Sequence, residues 1–180
     1  MRWYYMKKKG FSLVEALVVV ALFSLLFGLT FEILVTSNRS WRSTSELQNI
    51  QNQARSGMDF MLLELGQTRI LNMAPTPPFA GSDNISFQLN LGFDDSGNAR
   101  WGADGNDDYK VRFSRDGANN LLRQVLAVSG SVTAARPLAA SVSSLNFALP
   151  SLTTRTLTVT LTTTAGSGTF TLSSKATLRN

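Results

Sequence analysis

Lys7-Lys8-Lys9-Gly10-Phe11-Ser12-Leu13-Val14-Glu15-Ala16-Leu17-Val18-Val19-Val20 passes from a basic cluster, through one glycine, into an apolar stretch that continues to Phe31. Only Ser12, Glu15, Ser24, Gly28 and Thr30 interrupt it. As a helix, residues 11–31 span roughly 31 Å, the hydrocarbon thickness of a bilayer. A secretory signal peptide is the plain alternative. This stretch, however, outruns an ordinary signal core, carries a carboxylate near its start and lacks a small-x-small cleavage site after it. A lone acid inside a membrane span costs a few kcal/mol, so Glu15 reads as functional. The lysines place the N-terminus on the cytoplasmic side and the rest of the chain across the membrane.

Beyond Glu32 the composition turns polar while a helical period persists. Leu47, Ile50, Ala54, Met58, Met61, Leu62 and Leu65 recur every three or four residues, with Glu46, Gln48, Gln51, Arg55, Asp59 and Glu64 filling the other faces. No proline precedes Pro75, so one helix is expected to continue through residues 36–74 and to stop at Pro75-Thr76-Pro77-Pro78. Gly28 and the Ser/Thr-rich stretch Thr36–Ser45 are its weakest points. After residue 75 the period becomes two. Ile85, Phe87 and Leu89 alternate with polar neighbours, as do Tyr109, Val111 and Phe113, and Leu145, Phe147 and Leu149. Leu121–Val128 reads as a further strand. Leu157, Val159 and Leu161 oppose Thr156, Thr158, Thr160 and Thr162, and a turn at Ala165–Gly168 leads to Phe170, Leu172, Ala176 and Leu178. The expected fold is α+β: a long N-terminal helix, half in the membrane and half amphipathic, packed on an antiparallel sheet. The expected organisation is a leader at 1–10, a transmembrane helix at 11–35, its amphipathic continuation at 36–74 and a β-rich domain at 75–180.

The formal net charge of +5 does not point to nucleic acid. Four of the 17 basic residues (Arg2, Lys7, Lys8, Lys9) precede Gly10 while all 12 acids follow it, leaving 13 basic against 12 acidic side chains in the remainder. With no cysteine there is no disulfide, thiolate nucleophile or lipid-attachment cysteine. With no histidine the usual general base and the commonest metal ligand are missing, so no enzyme is expected. The segment 92–108 gathers Asp94, Asp95, Asp104, Asp107 and Asp108. Asp104-x-Asn106-x-Asp108 matches the first ligand positions of an EF-hand, but Tyr109 stands where its glycine belongs and Arg115 where its bidentate glutamate belongs. An EF-hand is excluded; a solvated loop is expected, with Ca²⁺ on Asp104, Asn106 and Asp108 as the alternative. No other cofactor is expected.

Gly10, Phe11 and Glu15 behind Lys7, Lys8 and Lys9 resemble the N-terminus of type IV prepilins and pseudopilins. The resemblance implies cleavage by prepilin peptidase between Gly10 and Phe11, N-methylation of Phe11, and pairing of Glu15 with the N-terminal amine of a neighbouring subunit. Gln53–Gln67, the strand Val142–Leu149 and the ending Leu178-Arg179-Asn180 are similar to W-type minor pilins and J-type minor pseudopilins. Absence of a proline from the membrane segment and of cysteine from the body separates the chain from many major pilins. The function implied is a minor structural subunit of a type IV pilus or a type II secretion pseudopilus, at assembly initiation or at the tip. Its partners would be other pilin or pseudopilin subunits, prepilin peptidase and an inner-membrane assembly platform, with no nucleic acid. Its location would be the bacterial inner membrane, single-pass, with the body in the periplasm or in an extracellular filament. The alternative function is a signal-anchored periplasmic binding or enzymatic domain that joins no filament.

Overall fold

A computed structural model describes residues 12–151, 153, 155–166 and 168–179. One helix, α1, covers Leu13–Leu65. Twelve strands follow among the described residues: β1 Met73–Ala74, β2 Phe79–Ser82, β3 Asn84–Phe87, β4 Leu89–Phe93, β5 Ala99–Ala103, β6 Asn106–Asp107, β7 Lys110–Arg115, β8 Leu121–Leu126, β9 Val132–Ala139, β10 Val142–Leu149, β11 Thr156–Ala165 and β12 Gly168–Thr177. This is the expected α+β architecture. The chain divides into two compact units, one ending at Thr44 and one comprising Ser45–Asn180, and α1 crosses the division.

The helix ends ten residues before Pro75, which corrects the expected bound at 74. Past Leu65 the backbone tightens. The Gly66 amide still donates to Leu62 O, but those of Gln67 and Thr68 donate to Glu64 and Leu65, three residues back. Tertiary bonds then capture the chain: Thr68 Oγ1 donates to Gln88 O at 2.8 Å, and Arg179 N donates to Thr68 O at 3.1 Å. A 3-10 turn at Ile70–Asn72 and β1 therefore precede the prolines, and the β-rich part begins at Met73 rather than at residue 75.

In the second unit the strands form three antiparallel sheets rather than one, with orders β1-β3-β7-β8-β9, β12-β11-β10-β2 and β4-β5-β6. Ile85, Phe87 and Leu89, expected on one strand, are split at Gln88 between the first and third sheets. The alternation elsewhere holds. Val111 and Phe113 on β7, Val142, Leu145, Phe147 and Leu149 on β10, and Leu157, Val159 and Leu161 on β11 are all buried. Thr156, Thr158, Thr160 and Thr162 of β11 face the other way, where the hydroxyls of Thr160 and Thr162 meet those of Ser173 and Thr171 on β12, while Thr163 is buried. Ala54, Met58, Met61 and Leu65 of α1 join this core, with Phe87 and Phe113 in ring contact at 5.5 Å. Leu47, Ile50 and Leu62 of the expected apolar face are half-buried. Gly57 lies close against the sheet: a Cβ there would lie 3.3 Å from Leu121 Cδ2 and 3.6 Å from Ala139 Cβ.

Candidate functional site

From Leu13 to Phe31, Glu15 apart, α1 is apolar around its whole circumference. Leu13, Val14, Leu17, Val18, Leu22 and Phe23 are all exposed, and the stretch is long and apolar enough to cross a membrane with none of it buried. A helix that is apolar all round needs either a core or lipid around it. Its small polar groups are satisfied within the helix. Ser24 Oγ donates to Val20 O at 2.8 Å and Thr30 Oγ1 to Leu26 O at 2.7 Å. Glu15 differs, because no hydrogen bond or ion pair engages its carboxylate among the described residues. It lies in the first turn of α1, where unpaired N–H groups and the positive end of the helix dipole favour a negative charge. That local field is worth about 0.3–1 kcal/mol. It is smaller than the few kcal/mol that a carboxylate costs inside a bilayer. Lys7, Lys8, Lys9, Gly10 and Phe11 lie outside the described residues.

Three of the five acids of segment 92–108, Asp94, Asp104 and Asp107, have a structural partner. Asp94 caps the β4–β5 hairpin: Oδ1 accepts from the amides of Ser96 and Asn98, and Oδ2 from Asn98 Nδ2. Those bonds hold its carboxyl below the ordinary range. Asp116 closes the β7–β8 turn in the same way with Ala118 and Asn120. Asp107 is held by Arg100 at 3.0 Å. Asp104 and Gly105 have φ of 48° and 84°, as the two-residue β5–β6 hairpin requires. Of the calcium candidates, Asp104 gives both oxygens to Arg123, at 2.6 and 3.1 Å, while Asn106 turns its amide toward Asp104 O at 3.4 Å. Asp108 is exposed at φ 64°. Among the described residues no group of three or more acidic, His or Cys side chains gathers in a form that could hold a metal. Trp101 is half-buried beneath the Arg69 guanidinium, 5.4 Å from the ring centre.

The second unit also buries a charge cluster that the sequence reading placed among the solvated residues. Glu64, on the packed face of α1, accepts from Arg123 Nε at 2.9 and 3.0 Å, with side-chain exposures of 9% and 11%. Burial raises the Glu64 carboxyl despite this pairing, while the hydrogen bonds from Arg123 lower that of Asp104. Burial opposes the charge of Arg123, yet its bonds to Asp104 and Glu64 prevail and hold it above the ordinary guanidinium value. Phe60, Val125, Ala134, Ala135 and Arg136 complete the wall of a cavity of about 400 Å³ beside the cluster. Arg136 stands directly across the β8–β9 ladder from Arg123 and over the Phe60 ring. A sequence signal existed: Arg123 shares strand parity with Leu121 and Val125, and Glu64 follows Met61 by three.

Residues 5–31 match the prokaryotic N-terminal methylation motif, the type IV prepilin-like signal. The match takes in Lys7 to Glu15 and most of the apolar stretch, and it ends before the second unit begins. No curated protein and no solved structure matches the chain.

Proposed function

We propose that this chain is a minor pilin or pseudopilin, a structural subunit that joins a type IV pilus or type II secretion pseudopilus at initiation or at its tip. The observation that carries this reading is the N-terminal methylation motif at 5–31, which takes in the apolar stretch of α1, none of it buried. Prepilin peptidase would cut between Gly10 and Phe11, and the new N-terminus would be methylated. The subunit would wait in the inner membrane with its β-rich unit across it, until an assembly platform moved it into a filament. The apolar face of α1 then exchanges lipid for neighbouring helices, a transfer between two apolar surroundings that costs little. The chain acts by contact rather than by catalysis in this reading, and it binds no nucleic acid. The lack of His and Cys supports the first point, and the balance of 13 basic against 12 acidic side chains after Gly10 supports the second.

Intact-mass measurement of membrane-extracted protein tests the reading. The expected mass is that of the chain from Phe11 plus one methyl group, and Gly10→Leu should leave the precursor uncut. An intact Met1 terminus, or a terminus after Gly28, would show a signal-anchored or secreted domain instead.

A further inference from the structure

Trp41 is 73% exposed on α1, with Arg39 and Arg42 beside it and no ion pair to either arginine among the described residues. A solvated helix has no use for an uncovered indole, and neither the first unit's own side chains nor any aromatic partner covers this one. Its position along the helix has a physical meaning. From Leu13 to Trp41 the rise is about 42 Å, and a bilayer with its headgroup layers is about 40–45 Å thick. Helical side chains lean toward the N-terminus, which carries the indole back by roughly a turn, onto the level of Ser37 and Asn38. Tryptophan settles at that depth because its ring is apolar and its N–H is polar. Arg39 and Arg42, three residues apart, share one side of the helix and Trp41 takes another, so that the three ring it at one level, and a guanidinium matches a phosphate diester by shape and charge.

We infer that Arg39, Trp41 and Arg42 form a collar that binds phospholipid headgroups, with preference for anionic ones, at the end of the span remote from Glu15. The inference rests on the reading of residues 13–35 as membrane-spanning. The collar sets how deep the helix sits: Glu15 is held near one interface because Trp41 is held at the other.

The test uses the full chain with Trp3→Phe and Trp101→Phe, which leaves Trp41 as its one indole, in vesicles of phosphatidylcholine and phosphatidylglycerol. Carbonate extraction comes first, because it tests the span by itself. Release from the vesicles overturns the span and the collar together. In the carbonate-resistant fraction, lipids brominated near the headgroup should quench Trp41 more than lipids brominated near the chain ends. Brominated phosphatidylglycerol should be favoured roughly fivefold over brominated phosphatidylcholine. Arg39→Gln with Arg42→Gln should abolish that preference and leave the depth unchanged. Quenching by aqueous acrylamide alone overturns the collar while sparing the span. Protection from both quenchers, which would show a protein contact, overturns it too, as does equal quenching by the two headgroups.

Discussion

Glu15 and Glu64 are both carboxylates on α1, and their surroundings give them opposite tasks. Glu15 has no partner within its own described chain, whereas Glu64 has Arg123 at 2.9 Å. If Glu15 awaits the N-terminal amine of a neighbour, then Glu15→Ala should still insert and still be cut after Gly10. It should then accumulate in membranes and be depleted from sheared filaments. Glu15→Gln should behave alike, since an amide keeps the shape and loses the charge. Assembly of both variants at wild-type levels would remove the ion pair from the mechanism. For Glu64 the readout is pH. Its folded carboxyl is raised above the ordinary 4.5, so the folded state takes up this proton first and its contribution to stability grows as pH falls. Asp104, Asp94 and Asp116 are lowered from 3.8, so their contributions are present above that value and are lost on further acidification. Glu64→Gln should therefore lose more stability than the wild type as the pH falls toward and through 4.5, as measured by urea titration. Parallel curves would show that Glu64 does not titrate as its burial implies. The motif residues were legible in the sequence because their order alone carries the signal. Glu64 was not, because a carboxylate on a helix counts as solvated until its partner, 59 residues away, is known.

At the scale of elements, what could be read was periodicity, and what was missed had none. β10 and β11 alternate cleanly and were found. β9 was missed. Val132 to Pro137 are exposed throughout, and the strand carries a proline, which an edge position tolerates because one side of its ladder is empty. The end of α1 was placed late because proline is only one way to stop a helix; Thr68 does it here through tertiary bonds. Gly57 tests how α1 meets the sheet. In mid-helix a glycine costs about 1 kcal/mol relative to alanine, and this one is buried against Leu121 and Ala139. Gly57→Ala should be close to neutral, since the propensity gain offsets a small shift of the flexible Leu121 end. Gly57→Leu has no such room and should cost about 1–3 kcal/mol in chemical denaturation. A leucine variant as stable as the wild type would mean that helix and sheet are not closely packed at this point.

Over the whole molecule, strands can be anticipated locally but their assignment to sheets cannot. β2 pairs with β10, more than sixty residues later, and β3 and β4, adjacent in the chain, belong to different sheets. Local alternation says which side chains point inward, not which backbone they will pair with. The division at Thr44/Ser45 is likewise a property of contacts, and it falls inside a helix that sequence reading had cut at residues 35 and 74. Its consequence is testable. Among the described residues, every buried side chain belongs to Ala54 or later, so a fragment from Ser45 keeps the entire core. It also keeps Gln53, whose side-chain oxygen accepts from Ala140 N at 3.3 Å. The fragment should be soluble without detergent, sediment as a monomer, and unfold in one step with a urea slope of roughly 1–3 kcal/mol/M. A shorter fragment from Met58 loses Ala54, Gly57 and the Gln53 bond, and uncovers Leu121 and Ala139. It should unfold at markedly lower urea or aggregate. If the fragment from Ser45 failed to fold while the full chain in detergent unfolded cooperatively, the first part of α1 would be supporting the β-rich unit, and Thr44 would not be a boundary.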